Sequence, residues 1–264
     1  ESGVYQFYDK KGLLLYVGKS VRLRERVLSH FSSDHQHTKE MKISQNIASI
    51  NCIETAGELG ALLLEAKLIK KELPVYNYRL RRYHRLVTIY WDIDGEHSLP
   101  FINTAKTIDP QKIDNHFGLF KTRKKAKEKL SQLAKEHQLC EKLLGLETGK
   151  GKCFAYQLKR CRGACIGQES EMQHRIRLMQ ALLPQRNQAW PYAGRIGIRE
   201  ISTDREKTDI HLFDHWCYLG TIQHEIQLEQ LKLFEDNNLM FDIDTYRILT
   251  SYLKKTKRPD IIQL

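Results

Sequence analysis

The chain has 264 residues, 41% hydrophobic and 28% charged, with a net charge of +11 and a pI near 9.3. That composition is globular and long enough for more than one domain, and its basic balance favours a polyanionic partner, nucleic acid first. No run approaches about eighteen apolar residues, which excludes a membrane-spanning helix, and no secretory segment opens the chain. It begins at Glu1 rather than Met, two residues before the first motif, so an upstream extension is expected.

Val4 to Tyr8 and Leu13 to Val17 alternate like strands around the turn Asp9-Lys10-Lys11-Gly12, which predicts a hairpin. Ser20 is expected to cap a helix running through Phe31. Its apolar stripe is Leu23, Val27 and Phe31, and Arg22, Arg26 and His30 repeat at the same interval on another face. A second helix, a strand over Ile50 to Ile53 and a helix from Glu58 to Leu73 follow, the last stopped by Pro74. Leu59, Leu62, Leu63, Ala66 and Ile69 form its core side. The basic stretch Arg79, Arg81, Arg82 and Arg85, interleaved with Tyr83 and His84, marks a boundary, giving a first domain over 1–84.

A middle domain, 85–185, opens with a strand from Leu86 to Ile93 and the turn Asp94-Gly95. It carries a charged helix from Thr122 to Gln138, a Gly-rich loop over 145–151, and a helix from Ser170 to Leu183 that ends at Pro184. The C-terminal domain, 186–264, pairs strands Arg195 to Ile201 and Asp209 to Phe213 across the turn 204–207 and closes with a helix from Asp244 to Lys255. The fold class is α/β of the α+β kind. It comprises a small three-stranded antiparallel sheet flanked by helices, a mixed helical and strand middle domain, and a small α+β C-terminal domain.

Glu65 sits at the edge of a wide apolar arc. A partly desolvated carboxylate there either reaches solvent or an Arg, or binds a cation. Tyr5, Tyr16 and Arg26 are unremarkable singly. Together they supply what phosphodiester cleavage needs: a positioned nucleophile, charge neutralisation at phosphate and a stabilised leaving oxygen. One carboxylate with retained waters suits Mg²⁺ or Mn²⁺. A neighbouring cation such as Lys19 would lower the pKa of a phenol acting as base. Arg26 has the rigid fork that grips phosphate.

Gly3-Val4-Tyr5 and Tyr16-Val17-Gly18-Lys19, followed by Arg26, Glu65 and Asn77, resemble the GIY-YIG endonuclease module of the UvrC/Cho excinuclease family. The stretches Tyr16 to His30 and Gly60 to Lys70 carry the likeness. His30 stands where UvrC has a second helix Tyr, and with Ser20 this points to the Cho side of the family. The resemblance implies that Tyr16 is the general base, Lys19 its tuner, Tyr5 the residue that orients the nucleophile, Arg26 the phosphate stabiliser and Glu65 the metal ligand. His30 joins this catalytic set, and Asn77 closes it in a supporting role. It further implies a structure-specific, metal-dependent endonuclease of nucleotide excision repair and the SOS response. Such an enzyme cuts damaged duplex DNA once, on the 3′ side of the lesion, as a monomer loaded by a UvrB-type protein. The alternatives are a stand-alone sequence-specific endonuclease of the restriction or homing type, a non-catalytic DNA-binding scaffold, and a fragment of a protein that fuses this module behind an exonuclease.

Four of the six cysteines, Cys140, Cys153, Cys161 and Cys165, fall in one 26-residue window. Clustering in a large basic chain suggests a metal site in the cytoplasm rather than secreted disulfides. The spacing matches neither zinc knuckles nor ferredoxins, so spacing alone leaves buried thiols open. The run Cys153 to Cys165 is similar to the cysteine-rich segment of UvrC, which implies a 4Fe-4S cluster, with zinc as the alternative. Cys52 and Cys217 read as core residues. Arg79, Arg81, Arg82 and Arg85, with Arg22, are the expected DNA-backbone contacts, Tyr83 and His84 adding stacking. The basic face over 121–129 divides evenly between DNA binding and solvation. Trp216 to Gly220 looks weakly like the C-terminal part of Cho.

Overall fold

The computed structural model describes residues 1–32, 41, 43–78, 86–93, 95, 99–105, 108–223 and 239–264. The chain forms two compact units, one made of Glu1–Arg82 with Pro191–Leu264, the other of Tyr83–Trp190.

The first unit opens with the expected hairpin, β1 (Ser2–Tyr8) and β2 (Leu14–Ser20), and β3 (Ser49–Thr55) pairs on the other side of β1 in the antiparallel order β2-β1-β3. The register sets Tyr5 opposite Gly18 and Phe7 opposite Tyr16. Because side chains alternate along a strand, Tyr5, Phe7 and Tyr16 share one face. There they pack with Leu23 and Val27 of α1 (Leu23–Ser29) and with Ile43. Val4, Leu14 and Val17 take the other face and pack on Leu64, Leu68 and Ile69 of α2 (Glu58–Glu72). Leu73 ends α2 in a left-handed conformation, and Pro74 prevents continuation.

Three local expectations need correction. Ser20 does not cap α1: its hydroxyl accepts from the Arg22 N–H in a turn that precedes the helix, so Arg22 is the N-cap residue and the helix starts two residues late. The helix ends at Ser29 with His30 as its C-cap, so Phe31 falls beyond it and is 48% exposed. Cys52 is exposed, because β3 lies at the sheet edge and turns most of its side chains to solvent. The helix expected before β3 lies largely outside the described residues.

Residues 195–264 complete this unit with a second antiparallel sheet of order β10-β7-β8-β9, made of β7 (Ile196–Ile201), β8 (Thr208–Asp214), β9 (Cys217–Ile222) and β10 (Asp260–Gln263). Helix α5 (Ile243–Lys255) packs on α2. Cys217 is buried here, as expected.

The second unit holds a three-stranded sheet of order β5-β4-β6: β4 (Leu86–Tyr90), β5 (Phe101–Ala105) and β6 (His116–Phe120). Strand β4 is shorter than expected because the chain leaves the sheet at Trp91, whose N–H goes to the Asn115 carbonyl. Helix α3 (Arg123–Glu136) is capped by Thr122 and α4 (Glu171–Leu182) by a Ser170–Gln173 capping box. Ile89, Trp91, Phe117, Leu130, Leu133, Leu178 and Leu182 form the core. Asp94 of the expected turn lies outside the described residues. Most cations of the 121–129 face are exposed on α3, with Lys125 paired to Glu128 at 2.7 Å. Among the described residues no helix is long and apolar enough to cross a membrane.

Candidate active site and a four-thiol centre

The free edge of β2 is where the chemistry-bearing side chains gather. Val75 and Tyr76 donate their N–H groups to the Leu14 and Leu15 carbonyls. Asn77 continues along the edge, its Oδ1 accepting from Val17 N at 2.9 Å and its Nδ2 donating to Val17 O at 2.9 Å. The next outward donor, Lys19 N–H, goes to the Glu65 carboxylate. The buried Asn77 amide therefore substitutes for a fourth strand beside Tyr16 and Gly18.

On the aromatic face, the Tyr5 and Tyr16 ring centroids lie 6.1 Å apart, and His30 packs 5.4 Å and 6.0 Å from them. His30 is 3% exposed, and its Nε2 lies 2.9 Å from the Tyr5 hydroxyl. Gly18 makes the two phenols possible: a Cβ there would overlap the Tyr5 hydroxyl and lie 2.9 Å from Tyr16 Cε1. Burial, reinforced by Tyr16, pushes the Tyr5 hydroxyl well above the ordinary phenol range, against the pull of the Arg26 guanidinium that hydrogen-bonds it. Glu65 is near enough to add to the upward push. Tyr16 is only half-buried and Arg26 is exposed.

Glu65 projects from the second turn of α2. Burial holds its carboxyl above the usual carboxylate range, opposed by the Lys19 charge and the Lys19 N–H. The Lys19 ammonium itself is paired with Glu58 at 2.6 Å, in the first turn of the same helix. Glu65 also lines a mostly apolar cleft of about 190 Å³ with Leu62, Ala66, Ile69, Asp244, Arg247 and Ile248, which none of the phenols lines. A single half-buried oxygen donor suits a hydrated Mg²⁺ or Mn²⁺, which keeps several waters. Tyr5, Tyr16, Arg26, Glu65, Lys19, His30 and Asn77 are thus brought to one edge of one sheet. Arg22 stands apart on the surface, paired with Glu25 at 3.3 Å. Arg79, Arg81, Arg82 and Arg85 lie outside the described residues.

Glu58, Asp244 and Arg247 were not anticipated. Glu58 carried a weak signal, as an acid in the first turn of a helix, whereas Asp244 and Arg247 reach the cleft only through tertiary packing.

In the second unit the Sγ atoms of Cys140, Cys153, Cys161 and Cys165 all lie within 4.8 Å of one another. The first three are buried. The Tyr156 N–H points at Cys153 Sγ and the Gly163 N–H at Cys161 Sγ, each at 3.3 Å. Burial pushes the Cys140 thiol up to about 11 and Cys153 higher still. Burial raises Cys165 too, but hydrogen bonds from Cys153 and Cys140 outweigh it and bring this thiol below its ordinary value. Four convergent sulfurs form a donor set for a thiophilic metal centre.

A hairpin with paired phenols, an arginine on the following helix and one carboxylate on the next define a GIY-YIG endonuclease, and residues 1–78 match the family described as UvrC-like GIY-YIG domain. Residues 88–183 match the UvrC/Cho excinuclease middle domain, and residues 195–264 the excinuclease Cho C-terminal domain. The chain is 39% identical over 250 residues to excinuclease Cho of Salmonella typhimurium, covering 94% of this chain and 81% of that protein. The excinuclease Cho of Escherichia coli K12 is also 39% identical, with 94% and 80% covered. UvrABC system protein C of Acinetobacter baumannii is 34% identical over 167 residues, 62% of this chain and 27% of that protein. A solved magnesium-bound N-terminal endonuclease domain of UvrC from Thermotoga maritima is 39% identical, covering 29% of this chain and 83% of that one, with a TM-score of 0.27. The chain belongs to the UvrC/Cho excinuclease family, on its Cho branch, and is a DNA endonuclease of excision repair.

Proposed function

We propose that the enzyme makes one metal-dependent incision on the 3′ side of a lesion in damaged duplex DNA, in the cytoplasm, delivered by a UvrB-type loading protein. The observation that carries this reading is the convergence of Tyr5, Tyr16, Arg26 and Glu65 at the free edge of β2. Family membership across all three segments, rather than the nuclease module alone, favours excision repair over a restriction or homing enzyme.

Glu65 is the protein ligand for Mg²⁺ or Mn²⁺, which when bound would neutralise charge on the scissile phosphate. Burial raises its proton affinity, so protons compete with the metal at this carboxyl. Tyr16 takes the proton from the attacking water. Tyr5 is unfit for that task, because burial keeps it a phenol, and it donates a hydrogen bond that orients the nucleophile. His30 holds Tyr5 through the 2.9 Å contact. Arg26 leaves Tyr5 to grip the phosphate oxygens as negative charge develops. Asn77 fixes the backbone between Tyr16 and Gly18. Lys19, read from sequence as a tuner of Tyr16, acts on Glu65 in this account. Arg22, Arg79, Arg81, Arg82 and Arg85 bind the DNA backbone, so affinity should fall steeply with salt.

The four thiols hold a metal centre that braces the middle segment, a 4Fe-4S cluster by family resemblance. A second reading has a specific observation behind it. Sulfurs within 4.8 Å of one another stand close to the edge of about 3.8 Å expected for one tetrahedral zinc with bonds of about 2.3 Å. A four-iron cube needs them further apart. Iron, sulfide and zinc analysis of anaerobically purified protein separates the two.

The nuclease reading is tested with Glu65→Ala on nicked and lesion-bearing duplex in Mg²⁺. Loss of cleavage with DNA binding retained is expected, and full activity would refute the metal role. Wild-type protein that binds DNA normally but never nicks in Mg²⁺ would instead favour a scaffold.

A further inference from the structure

Both ends of α2, the helix that carries Glu65, are held by groups from residues 195–264. At its N-terminus, Leu59 N–H donates to Glu200 Oε1 at 2.9 Å and Gly60 N–H to Glu200 Oε2 at 2.8 Å. The first N–H groups of a helix lack intrahelical partners, and the N-cap residue Gly57 has no side chain to satisfy them. A carboxylate from β7 does so instead, with its charge at the favourable end of the helix dipole. The Glu200 side chain is 9% exposed. Burial raises its pKa, but His211 and the two helix N–H groups outweigh that and hold it below the usual carboxylate range. His211, wholly buried on β8, places Nε2 3.1 Å from Glu200 Oε2 and Nδ1 2.7 Å from Thr221 Oγ1 on β9. At the other end of α2, Lys70 is paired with Asp242 and, at 2.7 Å, with Asp244, the N-cap and first-turn acids of α5.

The glycines of the nuclease segment are cut to fit this carboxylate. A Cβ on Gly57 would overlap the Glu200 carboxylate, and one on Gly60 would lie 3.0 Å from His211 Cε1. Gly57 has φ −157° and ψ −171°, extended backbone that any residue adopts, so its glycine is needed for the close approach and not for conformation. Glu65 lies about 9 Å along the axis from Leu59, at 1.5 Å per residue. A first turn that loses its cap frays toward it and loosens the carboxylate from the Lys19 N–H.

We infer that Glu200, oriented by His211, is a positioning residue for Glu65, so that residues 195–264 form a bracket that preorganises the metal ligand. This rests on the proposed role of Glu65. The test uses the full chain with Glu200→Gln, which removes the charge, and Gly57→Ala, which keeps Glu200 but displaces its carboxylate. Mn²⁺ binding is followed by EPR, and nicking is measured against Mg²⁺ concentration. Each single variant should weaken Mn²⁺ binding and raise the Mg²⁺ midpoint about tenfold or more, the range typical of groups that orient a metal ligand, while KM for DNA stays put. The double variant should be no worse than the weaker single one, because both break the same contact. A folded Glu200→Gln or Gly57→Ala protein that binds Mn²⁺ like the wild type overturns the inference. Should Glu200→Gln fail to fold, Gly57→Ala decides. If Glu65→Ala also binds Mn²⁺ like the wild type, the metal-ligand reading falls with it. If Glu65→Ala loses Mn²⁺ while the other two retain it, only the bracket falls.

Discussion

The two metal-binding candidates in this chain are built on opposite plans. Near the edge of β2 one half-buried carboxylate, Glu65, stands beside the Lys19 charge and within electrostatic reach of Tyr5. In the second unit four thiols converge, three of them buried. An open site with few protein ligands leaves room for substrate and water, whereas a site closed by four ligands leaves none. On the proposed reading the first site does the chemistry and the second braces the fold.

Substitutions should separate the two sites cleanly. The largest effect is expected from Tyr16→Phe, which should lower single-turnover nicking about 10²–10⁴-fold, the range for loss of a general base. Tyr5→Phe should cost less, since that phenol only orients. Equal losses would erase the distinction that burial draws between them. Cys153→Ser should release the bound metal and lower the stability of the middle segment by more than about 4 kcal/mol, seen by calorimetry. Protein that stays folded should still nick. A collapse of chemistry in folded protein would mean that the thiol centre is not merely a brace.

Acidification sharpens the contrast further. Glu65 must be ionised to hold the cation, and its pKa is raised, so protons begin to displace metal above the usual glutamate range of about 4.3. Mn²⁺ affinity should therefore be flat at higher pH and fall as pH drops through that raised value. A fall that starts only below the ordinary range would contradict the burial seen at Glu65. The smallest effect is expected for Asn77→Ala. Losing both bonds to Val17 should lower stability by about 1–3 kcal/mol, with nicking impaired in proportion to disorder at β2.

Much of the first site was legible because its parts are local. The hairpin register follows from a short turn, and it alone puts Tyr5 and Tyr16 on one face. Glu65 could be placed at a helix edge from periodicity. The sequence was silent where a partner arrives from far along the chain. Nothing near Gly57 indicates that a carboxylate 143 residues later will cap its helix. The Lys19–Glu58 pair is likewise not legible from sequence, because it joins residues 39 positions apart. In the middle segment β6 is hard to read from sequence because a left-handed Gly118 sits in its interior. Convergence of the four cysteines was suggested by clustering, but which metal they suit was not, since irregular spacing fits no standard pattern.

The most direct measurement of the central claim is nucleotide-resolution mapping of cuts in a duplex bearing one lesion, with the loading protein, in Mg²⁺ and in EDTA. A single Mg²⁺-dependent nick on the 3′ side of the lesion is the expected result. Cuts at a fixed site in undamaged DNA, or cleavage that survives EDTA, would contradict it.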